Sequence, residues 1–210
     1  MKNRKRRRLM QLLGLGMLMP SWSFASKEDF EERSCNKKSS RKILVTYASE
    51  YGSTQGVAEA IGKALCCDEV GVDVIYVENV KSVEGYEQVI IGSPIQYDTW
   101  MDEAKKFLKT HENELSKLSV AYFFTCLTLS KKSDKTLKQA QGYADDLLKL
   151  NPKIEPQSIG QFAGVLDYSK FSVAFRLLAR ALFAVLGVKE GDYRDWNAIE
   201  KWSNKIKIKG

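Results

Sequence analysis

The residues best suited to chemistry stand in one short run, Ser49-Glu50-Tyr51-Gly52-Ser53-Thr54. Hydroxyls at Ser49, Ser53 and Thr54 and bare backbone at Gly52 can surround a phosphate. A helix opening at the end of the run would add unpaired N–H groups and the positive end of its dipole. Such a cradle needs no arginine or lysine. A dinucleotide fingerprint would place three glycines as Gly-x-Gly-x-x-Gly, which this loop lacks, so its residues favour a mononucleotide. The competing reading is a hydroxyl-rich turn that only caps a helix. Two later runs could join it. Ile91-Gly92-Ser93-Pro94-Ile95-Gln96-Tyr97-Asp98-Thr99-Trp100 carries two aromatic rings, and Phe124-Thr125-Cys126-Leu127-Thr128 carries a thiol that is either redox-active or a small buried side chain. Other chemistries find little material. His111 is the only histidine, so a histidine metal centre or a Ser-His-Asp triad would rest on a single imidazole. Cys35, Cys66, Cys67 and Cys126 show neither zinc-site spacing nor a dense disulfide framework, and one bridge stays open.

These runs must be held by elements, and short apolar stretches alternating with helical patterns predict an α/β chain with a parallel sheet covered on both faces. Strands are expected over 43–48, 72–77, 88–92, 119–125 and 158–165. Val57, Ile61 and Leu65 mark one helix face, Trp100, Ala104, Phe107 and Leu108 a second, and Leu137, Ala144, Leu147 and Leu148 a third. Asp195 is placed to cap a last helix through Trp196, Ile199 and Trp202. Five strands with intervening helices imply a doubly wound sheet of order 2-1-3-4-5, with ligands at the carboxyl ends of the strands. By its helical spacing, Trp100 reads as a core anchor.

Ser49 to Thr54 resembles the phosphate loop of flavodoxins: Ser or Thr, two variable residues, Gly, one variable residue, Thr. The resemblance implies a flavodoxin-like five-stranded sheet and FMN as cofactor. FMN would be held by Ser49, Glu50, Tyr51, Gly52, Ser53 and Thr54, by Ser93, Pro94, Ile95, Gln96 and Tyr97 along the ring, and by Thr125, Cys126 and Leu127 on a third loop. Residues 42–208 further resemble the menaquinone-dependent protoporphyrinogen IX dehydrogenase family. That likeness rests on the first loop, Val89-Ile90-Ile91-Gly92-Ser93-Pro94-Ile95-Gln96-Tyr97, Phe162-Ala163-Gly164-Val165-Leu166-Asp167-Tyr168 and Tyr193-Arg194-Asp195-Trp196. It implies an enzyme passing electrons from a porphyrinogen through FMN to a quinone. No catalytic acid or base follows from it, since the flavin itself accepts the electrons. The alternative is a non-catalytic electron carrier of flavodoxin type.

Charge and address bear on where this happens. The net charge of +7 belongs to the N-terminus: residues 1–26 hold Lys2, Arg4, Lys5, Arg6, Arg7 and Arg8 and no acid. The remaining 27 basic and 26 acidic side chains nearly balance, which argues against nucleic acid as a partner. Residues 1–26 read as a signal segment with a basic start, an apolar run over 9–19 and Ser23-Phe24-Ala25 before a cut. Arg6-Arg7-Arg8-Leu9-Met10 resembles the twin-arginine export pattern, without its final lysine. Roughly 11 apolar residues are too few for a spanning helix, which needs about 20. The expectation is an exported, periplasmic or membrane-associated protein, cytoplasmic if the signal is not used. Residues 27–41 read as a linker and 42–210 as the flavin-binding domain. After the fifth strand, residues 170–187 form an added apolar helix about 27 Å long at about 1.5 Å per residue. Ser172, Arg176 and Arg180 make a narrow polar stripe on it, and its broad apolar face suits either a membrane surface or a quinone, or burial as a dimer or core helix. Arg176 and Arg180 could also meet substrate carboxylates.

Overall fold

The computed structural model describes residues 32–206, so the expected signal segment lies outside the described residues. The elements run β1 (Arg33–Cys35), β2 (Arg41–Tyr47), α1 (Ser53–Leu65), β3 (Val70–Tyr76), β4 (Gln88–Gln96), β5 (Thr99–Trp100), α2 (Asp102–Thr110), α3 (Glu112–Leu115) and β6 (Ser119–Cys126). They continue with α4 (Asp134–Leu150), β7 (Ile159–Ala163), β8 (Val165–Leu166), α5 (Val173–Leu186), β9 (Gly191–Asp192) and α6 (Trp196–Lys205).

The parallel strands lie in the order β3-β2-β4-β6-β7, which is the expected 2-1-3-4-5 winding. In β2 Ile43 to Tyr47, in β4 Gln88 to Ser93 and in β6 Val120 to Cys126 are buried at consecutive positions, as a sheet covered on both faces requires. The parity of β6 shows the two layers. Phe123 packs toward Phe162 and Trp202 of α6, while Tyr122 and Phe124 meet Trp100 and Tyr143 on the other side. The Phe123 ring lies on Gly92, where an added Cβ would fall 1.9 Å from a ring carbon, so this glycine exists to admit an aromatic.

Four expectations are corrected. The stretch read as a linker contains β1, which adds antiparallel to the β3 edge and is tied by a Cys35–Cys66 disulfide to the residue capping α1. Polar composition hid a three-residue strand that owes its place to a covalent tether. The third strand does not end at Gly92. It runs through Gln96 and turns back through Tyr97-Asp98 into β5, so Trp100 lies in a strand before α2 starts, although it is a core anchor with 1% exposure. The fifth strand breaks after Ala163, and β8 leaves the sheet to pair with β9. On α4 the buried face is Ala140, Tyr143, Ala144 and Leu147, whereas Leu137 and Leu148 are exposed.

Candidate functional site

The loops after β2, β4 and β6 open at one edge because the parallel register aligns Tyr47 with Gly92 and Gly92 with Phe123. Three side-chain bridges then join the loops pairwise. Thr54 Oγ1 and Thr125 Oγ1, both buried, lie 2.9 Å apart and bind the first loop to the third. Gln96 Nε2 donates to Glu50 Oε2 at 2.5 Å and binds the second loop to the first. The Tyr143 hydroxyl donates to Asp98 Oδ1 at 3.1 Å and lies 3.5 Å from Thr128 Oγ1, linking the second loop to the third. All three runs singled out in the sequence therefore meet.

The first loop ends at Gly52, whose φ of 77° is left-handed backbone that glycine adopts without strain. No side chain caps α1, as at α2 and α3, whereas α4 carries a Ser133 capping box and α6 is capped by Asp195. An uncapped helix start beside Ser49, Ser53 and Thr54 is the donor set a phosphate dianion needs. None of these hydroxyls caps α1. Ser49 and Thr54 are buried, Ser53 and Tyr51 half-buried, and Glu50 exposed.

The second loop presents Tyr97, 93% exposed, at the tip of a two-residue turn. Both Tyr97 (φ 51°) and Asp98 (φ 67°) have left-handed backbone, the geometry a tight hairpin demands but one that asparagine and glycine occupy more readily. A large aromatic ring is thus held in water on left-handed backbone, at the mouth of the three loops. Pro94, Ile95 and Gln96 line the same strand end, half-buried. Ser93 is fully buried, and its hydroxyl accepts from the Met101 N–H at 2.9 Å and donates to the Pro94 carbonyl, so it anchors the hairpin from within.

On the third loop Thr125 reaches the first loop, the Cys126 carbonyl accepts from the Gly164 N–H at 3.2 Å, and Leu127 opens a 3-10 turn to Ser130. Burial pushes the Cys126 thiol up to about 11, against weaker lowering by hydrogen bonds around Thr128 and Leu129, which leaves it a protonated small side chain at neutral pH. Burial likewise raises Tyr51, reinforced by the Glu50 carboxylate. His111 stands at the end of α2 with its ring 4.7 Å from that of Phe107, remote in role from the three loops.

The appended segment contributes residues that the motifs alone left without a role. Tyr51 meets Phe171 edge to face at 5.0 Å, Ser53 Oγ accepts from the Val165 N–H at 3.0 Å, and Arg194 donates to the Ser53 carbonyl at 3.3 Å. The quoted runs Gly164-Val165 and Tyr193-Arg194 were the signal for them. Arg176 is engaged inside the segment, donating to the Ser169 and Phe171 carbonyls, and the Arg180 guanidinium lies 5.4 Å from the Tyr168 ring centre.

Among curated proteins, the protoporphyrinogen IX dehydrogenase [quinone] of Leishmania major is 29% identical over 79% of this chain and 74% of its own length. The protein of the same name from Escherichia coli K12 is 25% identical over 79% of this chain and 94% of its own. Oxidised Flavodoxin 2 from Bacillus cereus superposes with a TM-score of 0.49 at 22% identity, covering 79% of this chain and 94% of that one. The family model described as Flavodoxin domain matches residues 44–191, most of the described chain, and with its three loops gathered at the carboxyl edge of a 2-1-3-4-5 sheet the chain belongs to the flavodoxin domain family.

Proposed function

We propose that this chain is an FMN-dependent oxidoreductase that takes electrons from a reduced substrate of porphyrinogen type and delivers them to a quinone, working outside the cytoplasm. The observation that carries the cofactor is the uncapped, glycine-led start of α1, bridged by Thr54 and Thr125 to the loop beside it. FMN, when bound, supplies the electron-accepting ring. The chain's residues supply everything else. Ser49, Ser53, Thr54 and the first amides of α1 take the phosphate, Tyr97 stacks on the ring and excludes water, and the backbone of Thr125 to Leu127 borders its edge. Stacking of this kind contributes about 0.5 to 1.5 kcal/mol beyond area burial. The porphyrinogen and quinone assignments are supported by the names of the two curated relatives.

The acceptor reading is supported by α5, which holds Val173, Leu177, Leu178 and Val185 exposed. An apolar acceptor, or the membrane surface in which quinones dissolve, fits such a face. No helix among the described residues is long and apolar enough to cross a membrane. Export is supported by the Cys35–Cys66 disulfide, since such bonds persist in oxidising compartments, and by the basic-then-apolar start of the chain. The same disulfide favours a second reading, an exported electron carrier with another substrate or none.

The test is the purified full chain, its visible spectrum and FMN uptake, followed by anaerobic mixing with protoporphyrinogen and a menaquinone analogue. Turnover with both is expected. Flavin colour without turnover selects the carrier, and failure to take up supplied FMN overturns the redox reading altogether.

A further inference from the structure

The segment between β8 and β9 is a lobe hung on a two-stranded neck, with Val165 opposite Asp192 and Leu166 opposite Gly191. Both strands of that neck end on the same residue of the first loop. From the β8 side, the Val165 N–H donates to Ser53 Oγ at 3.0 Å, and Gly164 comes so near that an added Cβ would lie 3.3 Å from that oxygen. From the β9 side, Arg194 Nη1 donates to the Ser53 carbonyl at 3.3 Å. The guanidinium is aimed there by two other groups. Its Nε and Nη2 fork onto the Asp192 carboxylate at 2.9, 3.1 and 2.6 Å, and its face lies 4.4 Å from the Trp196 ring centre. It also fills the space over Gly56, where an added Cβ would fall 2.4 Å from Nη1. A guanidinium so constrained is pre-organised, and little is lost in ordering it.

This arrangement has a chemical consequence at Ser53. Its oxygen already accepts from Val165, so its own proton is directed to another acceptor, and its carbonyl is held by Arg194 so that the first amides of α1 keep one direction. Resting on the FMN reading above, we propose that Arg194 is a positioning residue for the cofactor's phosphate: it acts through Ser53, tying phosphate affinity to the neck of the α5 lobe.

The test compares FMN with riboflavin, which lacks the phosphate, by quenching of flavin fluorescence on the full chain. Arg194→Gln is expected to raise the Kd for FMN about tenfold, the loss of one charge-assisted contact, while riboflavin changes by less than about twofold. Arg194→Lys, which keeps the charge but not the fork, is expected to recover part of the loss. Gly56→Ala leaves Arg194 in the sequence but displaces its guanidinium, and the same selective loss is expected; it decides the matter if Arg194→Gln does not fold. Equal weakening of both flavins would mark a merely structural role and overturn the assignment, as would unchanged FMN binding in both variants. Those results leave the proposed function standing. A wild-type chain that binds no FMN overturns that function and this assignment with it.

Discussion

Tyr97 joins two features that rarely coincide, nearly full exposure and a φ of 51°. Left-handed backbone at a non-glycine residue costs about 1 to 3 kcal/mol, so replacing it with glycine should relieve the chain while removing the stacking ring. Tyr97→Gly is therefore expected to unfold later in denaturant without flavin, yet to bind FMN more weakly. Two measurements moving in the same direction would contradict this account of the residue. The two free thiols divide in the same manner by environment. Cys67 is exposed, whereas Cys126 is buried with its thiol pushed up to about 11. Brief iodoacetamide treatment at pH 8 followed by mass mapping should label Cys67 and spare Cys126. Labelling of Cys126 at a similar rate would mean that the third loop opens freely. The candidate residues were readable from the chain because hydroxyls, glycine and an exposed aromatic are informative by type. Ser93 was legible as part of the loop but not as its internal anchor, since a hydroxyl's partner is a matter of distance.

At the scale of elements, β1 would not hold its position through composition. Three residues pair with β3, and the Cys35–Cys66 bridge fastens them across a sequence separation of 31. Removing a crosslink over such a span costs about 2 to 4 kcal/mol in the chain-entropy account. Cys35→Ser is expected to lower stability in urea by that order and to make the segment before β2 susceptible to protease, with α1 and the central sheet intact. A variant as stable as wild type would leave the bridge without a structural role. The sequence pattern ends the third strand at 92, short of the β4–β5 hairpin. Gly92 instead admits the Phe123 ring, and Pro94 lies past the last β2 pairing, where a missing N–H is tolerated.

For the whole molecule, two acids of the lobe and its neck, and the acid that caps α6 just beyond them, have carboxyl groups held below the usual range. Asp167 is lowered by hydrogen bonding from Ser169, Asp192 by the Arg194 fork, and Asp195 by the Ala198 N–H it caps and then by Lys132. Each binds its proton less tightly folded than unfolded, so each stabilises the fold above the ordinary carboxyl value of about 4 and loses that contribution as pH falls through the lower folded value. The lobe and neck are expected to loosen below about pH 4, ahead of the sheet. Protease cleavage within residues 167–195 followed from pH 5 to pH 3, beside far-ultraviolet dichroism for the core, checks the order. Simultaneous loss of both would mean the lobe is not a separate unit.

By itself the sequence determined the strand order and the buried face of α1, and it marked out the hydroxyl-glycine run after the first strand, because period and turn residues are local properties that survive in any context consistent with them. Asp195 as a cap was legible for the same reason. Only the tertiary structure decided that Thr54 meets Thr125, that Tyr143 joins Asp98 to Thr128, and that both strands of the lobe's neck end on Ser53. Those partners stand 71, 45 and 15, then 112 and 141 residues apart in the chain. No spacing rule reaches that far; the parallel register and the packing of α6 on α1 bring them together.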